Sequence, residues 1–282
     1  LIFPKFCFSA KTNFHKVVGI MDKRIALVTG GSSGIGRFLC LKLADEGYQV
    51  FSVSRSKSLP DDMAGITQIS VDFSSPEQTS CFAQKFIDQN GAPDLLVNNA
   101  GYGAFYQWEE FPDSEITNQI EVLFSAPVRL CRIFAPAMNK EDRGVILNLS
   151  SLATLYPLPH MPLYNAGKSA LSSFTESMML EYPKFPRIID FRMGDVRTDF
   201  NRSGSKPRNI QGSAKNAWAQ IEKQLNASIT PKVAVAQIFN RIKKDKSGTF
   251  YGGTWFHCLF LPFLYRFLPS SFKSVLIRLW YR

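Results

Sequence analysis

Regular patterning begins at Arg24. Residues 25–29 form a short apolar run, and Phe38, Leu39, Leu41, Leu43 and Ala44 then recur at helical spacing until Gly47. A second apolar run follows at 50–53, which makes strand, turn, helix, strand. The alternation continues. A strand is predicted at 67–71, a helix near 76–89, a strand at 94–97, a long helix from about 113 to 138 and a strand at 145–149. A helix carrying Tyr164 then runs to about residue 182, followed by strands at 187–191 and 249–251. Strands alternating with helices at this spacing predict an α/β fold, a doubly wound parallel sheet with helices on both faces. No repeat or linker divides the chain, so one domain is expected over 21–253, with a hydrophobic, basic extension at 254–282.

Residues 1–20 carry three lysines, no acid and no clear period. Upstream sequence outside the natural start is the preferred reading; a basic targeting segment and a membrane-contacting arm are the alternatives.

Composition changes this picture in two places. Five cysteines (Cys7, Cys40, Cys81, Cys131, Cys258) are an odd, scattered set without a CxxC pair, which suits a reducing, cytoplasmic setting. The three histidines (His15, His160, His257) stand at no ligand spacing, so no metal site is expected. The net charge of +10 is uneven: from Asn201 onward fourteen Lys/Arg face only Glu222 and Asp245, a balance of +12. Such a basic third points to an anionic surface, phospholipid above nucleic acid, for which no recognition motif is present; a solvated basic face is the bland alternative.

Between the first strand and helix the chain reads TGGSSGIG, Thr29–Gly36. Gly30 permits a tight turn, Gly34 lets a pyrophosphate approach the backbone, and Gly36 lets helix meet strand. Ser32, Ser33 and Ile35 complete the candidate phosphate-binding turn. A ribose 2′-hydroxyl is usually held by an acid at the end of the second strand, but Ser54 and Arg55 stand there and no acid follows before Asp61. Arg55, helped by Ser54, Ser32 or Arg37, therefore favours a 2′-phosphate and NADP(H).

Tyr164 and Lys168 stand four apart, on one helix face. An ammonium held there would pull the phenol below its usual ~10, so that it could exchange a proton with a carbinol oxygen. Ser151, on a different element, could hydrogen-bond the same oxygen.

With TGGSSGIG, NNAG at 98–101 and Ser151…Tyr164-x-x-x-Lys168 in this order, the chain resembles the short-chain dehydrogenase/reductase family from about Arg24 to Gly253. The resemblance implies a Rossmann domain holding both cofactor and catalytic groups. By it Tyr164 is the acid/base, Lys168 lowers its pKa and holds the nicotinamide ribose, and Ser151 orients the substrate. Asp72 and Phe73 match residues flanking adenine, and Asn99, Ala100 and Gly101 line the cofactor cleft. Val196 and Thr198 match a pair at the nicotinamide carboxamide and phosphate. The implied function is an NADP(H)-dependent oxidoreductase of a carbonyl or alcohol, in a homo-oligomer. Two departures stand out. Leu123 occupies the place of the family's helix asparagine and cannot bind a relay water; Asn118, roughly 140° round the helix, is a poor substitute. The family's Pro-Gly after the sixth strand reads Met193-Gly194. Leu123 motivates an alternative, a cofactor-binding sensor or interaction protein with little turnover.

Specificity is expected in 201–230 and in the tail. The tail's most apolar part, 255–265, is too short to span a bilayer and is expected to be broken by Pro262, while 271–281 places Phe272, Val275, Leu276, Leu279 and Trp280 at helical spacing with basic neighbours. Peripheral membrane contact and a lipid-like substrate are one reading; packing over the cleft or a subunit contact is the other.

Overall fold

A computed structural model describes residues 24–60, 63–200 and 204–281; the segment 1–20 and the first residues of the domain, 21–23, lie outside the described residues. Seven parallel strands form one sheet in the order β3-β2-β1-β4-β5-β6-β7. They are β1 (Ile25–Thr29), β2 (Gln49–Ser54), β3 (Ile66–Ser70), β4 (Leu95–Asn98), β5 (Val145–Ser151), β6 (Arg187–Met193) and β7 (Gly248–Gly252). Each falls within about two residues of its expected bounds. Strand order reverses between β1 and β4, and the register pairs Thr29 with Val53, Asn98 with Asn148 and Ser151 with Met193. The motif residues therefore end along one edge of the sheet, at the crevice that such a reversal opens.

The central strands read as largely apolar runs because both faces are covered. Val28 and Val50 turn to a cluster with Leu39 and Leu43 of α1 (Gly34–Asp45) and Ile238 of α7 (Pro231–Ile242). Leu27 and Phe51 turn to the other side, against Phe86 of α2 (Pro76–Asn90) and Phe134 of α4 (Ala126–Lys140). The fold is the doubly wound Rossmann type, in a single domain. Helix α6 (Gly212–Asn226), within 201–230, and α7, directly after it, were not foreseen.

The long helix after NNAG is not continuous. It consists of α3 (Asp113–Ile120), a π-helical turn at Glu121–Ser125, and α4. Pro127 explains the break: it has no N–H for the Leu123 carbonyl four residues back, and its ring crowds that carbonyl. The tail repeats the device. A π-helical turn at Phe256–Phe260 precedes α8 (Leu261–Phe267), so Pro262 widens the helix instead of ending it, contrary to expectation. A last helix, α9 (Ser270–Trp280), follows.

The core makes one prediction about pH. Burial pushes the thiols of Cys40 and Cys131 from 9.0 up to about 12. The folded chain keeps two protons that the unfolded chain loses as pH rises past 9, so unfolding becomes easier from there upward. Tyr164, raised to about 12, acts the same way above pH ~10, while Lys168, lowered to about 8, opposes it. The melting temperature is expected to fall between pH ~9 and ~11, and less steeply in Cys40→Ala, as thermal circular dichroism would show.

Candidate active site

The glycine turn is built against the end of β4. Gly30 takes a φ of 69°, and a Cβ on it would lie 2.8 Å from the Ala100 Cα and 2.9 Å from Asn99 Nδ2. A Cβ on Gly36 would overlap the Gly30 carbonyl and the same amide. Asn99 Nδ2 donates to the Thr29 carbonyl at 2.8 Å and the Gly30 carbonyl at 3.2 Å, while the amides of Asn99 and Ala100 donate to Thr29 Oγ1. Asn99 is thus a strut that fixes the turn. Gly34, with φ 50°, starts α1, and Thr198 reaches over it, its Cγ2 standing 3.5 Å from where a Cβ would be. Ser33, the residue before α1, makes no side-chain cap bond, which leaves first-turn amides for an anion. Positive φ, a cradle that a Cβ would fill and free helix-start amides fit a dinucleotide's pyrophosphate; Ser32, Ser33 and Ile35 would offer backbone to it, and Thr198 its hydroxyl.

Arg55 is exposed directly after β2, and its charge reaches the Tyr102 phenol. Asp72 lies at the same edge, where its carboxylate accepts from the amide and hydroxyl of Ser74. The Phe73 ring is buried in the core cluster with Phe82 and Phe86.

Ser151 is the last residue of β5, and its Oγ accepts from the Ala153 amide at 3.1 Å. Tyr164 lies in the first turn of α5 (Pro162–Glu181), which Pro162 opens; Lys168 follows one turn on. A hydrogen bond joins Ser151 to Tyr164, and the Phe200 ring stands 5.8 Å from the tyrosine ring. Lys168 is buried and donates from Nζ to the Leu149 carbonyl at 2.6 Å. The phenol is not lowered as the Tyr-Lys spacing led one to expect. Burial pushes Tyr164 up to about 12; the Ser151 bond opposes this, and the Asp195 carboxylate adds to it. The amine moves the other way, down to about 8, because burial outweighs the attraction of Asp190. A protonated phenol beside a hydroxyl donor is equipped to give a proton to an oxygen.

The short chain dehydrogenase family model matches residues 24–209, two thirds of the chain. The chain belongs to the short-chain dehydrogenase family. A 3-ketodihydrosphingosine reductase of Bacteroides thetaiotaomicron is 30% identical over 181 residues, 64% of this chain and 66% of that protein. Two solved structures share the fold. A 4-hydroxyisoleucine dehydrogenase complexed with NADH has a TM-score of 0.67 at 21% identity, covering 82% of this chain and 96% of its own. The L-sorbose reductase from Gluconobacter frateurii, complexed with NADPH and L-sorbose, has a TM-score of 0.64 at 23% identity, covering 82% and 94%. The family fold accepts either reduced cofactor in those proteins, so cofactor choice rests on each chain's own residues.

Against the family pattern, Leu123 sits in the π-helical turn, fully buried. A Cβ on Gly167 would lie 2.9 Å from the leucine Cβ, and one on Gly101 would lie 3.0 Å from its Cδ2 and 3.8 Å from Lys168 Nζ. Leucine therefore fills the space beside the amine with hydrocarbon. One turn earlier, Gln119 is buried; its Nε2 donates to the Tyr102 carbonyl at 2.9 Å and its Oε1 has no partner among the described residues. Gln119 precedes Leu123 by four, and that spacing was the one signal that could have drawn attention to it.

In Met193-Gly194 the glycine has a structural reason, and nothing in the structure explains the methionine. The His257 ring packs on Gly194, where a Cβ would come within 2.7 Å of its Nδ1. Asp195, whose carboxyl is raised by burial, and His257, lowered by burial, attract one another. Tyr281 completes this side: it joins the cluster of Tyr164, Phe105 and Ile221, and burial pushes its phenol up to about 12. Nothing in sequence spacing connects 195, 257 and 281; the tail's fold does. Val196 pairs with Ile229 and holds this loop at the cleft.

Proposed function

We propose that the chain reduces an apolar keto compound with NADPH. The observation that carries this reading is the convergence of Ser151, Tyr164 and Lys168 at one sheet edge, beside a glycine cradle shaped for a dinucleotide. NADPH, when bound, supplies the hydride. Tyr164, holding its proton in the buried cleft, delivers it to the carbonyl oxygen that Ser151 positions, while the Lys168 ammonium stabilises negative charge on the phenolic oxygen.

An apolar substrate is supported by what stands over Tyr164: Phe105, Met161, Ala217, Ile221 and Trp218 form one cluster with it. The likeness to a 3-ketodihydrosphingosine reductase supports a long-chain keto compound in particular. NADP(H) is supported by Arg55, whose guanidinium suits a 2′-phosphate where an acid would suit the hydroxyl. NADPH is expected to bind at least about tenfold more tightly than NADH, with Arg55→Ala removing most of the difference. Titration of both cofactors by fluorescence checks this, and equal affinities in the parent chain refute it.

The activity test is NADPH oxidation by the purified full chain with a long-chain 3-keto amine, an aliphatic ketone and an aldehyde. A second reading, a cofactor-binding sensor with little turnover, is favoured by Leu123 packed against the space beside Lys168. Tight NADPH binding without oxidation of any of the three would select it.

A further inference from the structure

Among the described residues, ten of the fifteen exposed large apolar side chains lie between Trp255 and Trp280. They are not scattered. Trp255, Leu259, Phe263 and Phe267 follow one another at intervals of four along the helical run through α8, each 65% to 71% exposed. On α9, Phe272, Val275, Leu276, Leu279 and Trp280 are all exposed and share about 140° of arc. The half-buried side of the run through α8 carries Phe256, Leu261, Leu264 and Leu268, and that of α9 carries Lys273, Ile277 and Tyr281. Lys273 lies over the Tyr265 ring at 3.3 Å and Tyr281 reaches Gln224 at 3.5 Å. From the domain, the Tyr156 hydroxyl donates to the Leu261 carbonyl at 2.8 Å. A surface helix in water buries its apolar face. This pair is apolar on its outer side as well, held down by hydrogen bonds and ring contacts while much of its hydrocarbon stays turned outward.

We infer that α8 and α9 form a docking surface for an anionic phospholipid bilayer. No helix of the described residues is long and apolar enough to cross a membrane, so the pair would lie in the interface. The charge selects lipid over protein partners of this chain. Residues 254–282 contain Arg266, Lys273, Arg278 and Arg282 and no acid. A second copy would oppose like charges across the contact, and residues 1–20, with three lysines and no acid, would do the same. Anionic headgroups complement the basic residues while acyl chains cover the aromatic and aliphatic face. Tyr281 links the far end of this surface to the cluster over Tyr164. Docking therefore places the cleft mouth beside the bilayer, and this last step rests on the reductase reading: the keto substrate is a membrane-dissolved one.

The test is flotation of the full chain with vesicles of phosphatidylcholine containing about 30% phosphatidylserine, at low salt. The chain is expected to float, to bind pure phosphatidylcholine far less, and to release as salt rises. Phe263→Glu with Phe272→Glu should cut the bound fraction at least about tenfold. Arg266→Gln with Arg278→Gln should cut it severalfold and flatten the salt dependence, with circular dichroism reporting the fold of each variant. A chain that stays in the bottom fraction with anionic vesicles overturns the inference. So does undiminished flotation of the folded double-glutamate variant. Sedimentation showing a dimer that the same glutamates dissociate, without vesicle binding, would make this face a subunit contact and overturn it too. Flotation reads no turnover, so failure of the reductase reading leaves this result standing.

Discussion

Tyr164→Phe is expected to lower turnover with NADPH by at least about a hundredfold while leaving NADPH affinity within a few-fold of the parent. The substitution removes one hydroxyl. The ring keeps its place against Phe200 and the apolar cluster above it, and the cofactor cradle at Gly30 and Gly36 is built by Thr29, Asn99 and Ala100 without help from Tyr164. Loss of rate without loss of binding is the signature of a group that acts on the reacting oxygen. Ser151 cannot take over the proton transfer, because an aliphatic hydroxyl is a far weaker acid than a phenol and its part is to position the oxygen. Steady-state kinetics beside a cofactor titration decide the matter. A variant that turns over at the parent rate removes Tyr164 from the proton-transfer role.

Raising the pH past about 8 is expected to shut reduction down, at about tenfold per pH unit, because Lys168 loses its charge there. Burial beside Leu123 and Gly101 disfavours the ammonium, and Asp190 restores only part of the loss. Below about 8 the amine is charged and can hold the phenolate that forms as Tyr164 gives up its proton; above it that support vanishes. The sign is thus activity at lower pH, lost as pH rises through the folded-state value. Lys168→Met should cost about 10² to 10³ in turnover at pH 7. Lys168→Arg keeps a charge at every accessible pH, so whatever activity it retains should show no alkaline limb near 8. A parent profile flat to pH ~9.5 would mean that the amine's charge is not what the reaction uses.

The sheet was legible to within about two residues because a strand buried on both faces tends to be a largely apolar run, as Ile25–Thr29 and the first half of Val145–Ser151 are. The glycine turn was legible for a similar reason. A positive φ at Gly30 and Gly34 and contact at Gly36 are demands that few residues meet, so they leave a mark in the letters. Tyr164 and Lys168 declared themselves because both stand on one helix, where spacing is geometry.

What spacing could not say was decided by contacts between segments far apart in the chain. The direction of the Tyr164 shift depends on how much solvent the cluster with Phe105, Ile221 and Tyr281 excludes, and that outweighs the opposing hydrogen bond from Ser151. The place of His257 on Gly194 comes from a tail that folds back over sixty residues of chain. Amphipathic spacing in 271–281 was visible from the start, but a pattern has no outside. The fold of the tail decides it: Lys273 lies on the Tyr265 ring of α8 and Tyr281 reaches Gln224 of the domain, which leaves Phe272, Leu276 and Leu279 facing away.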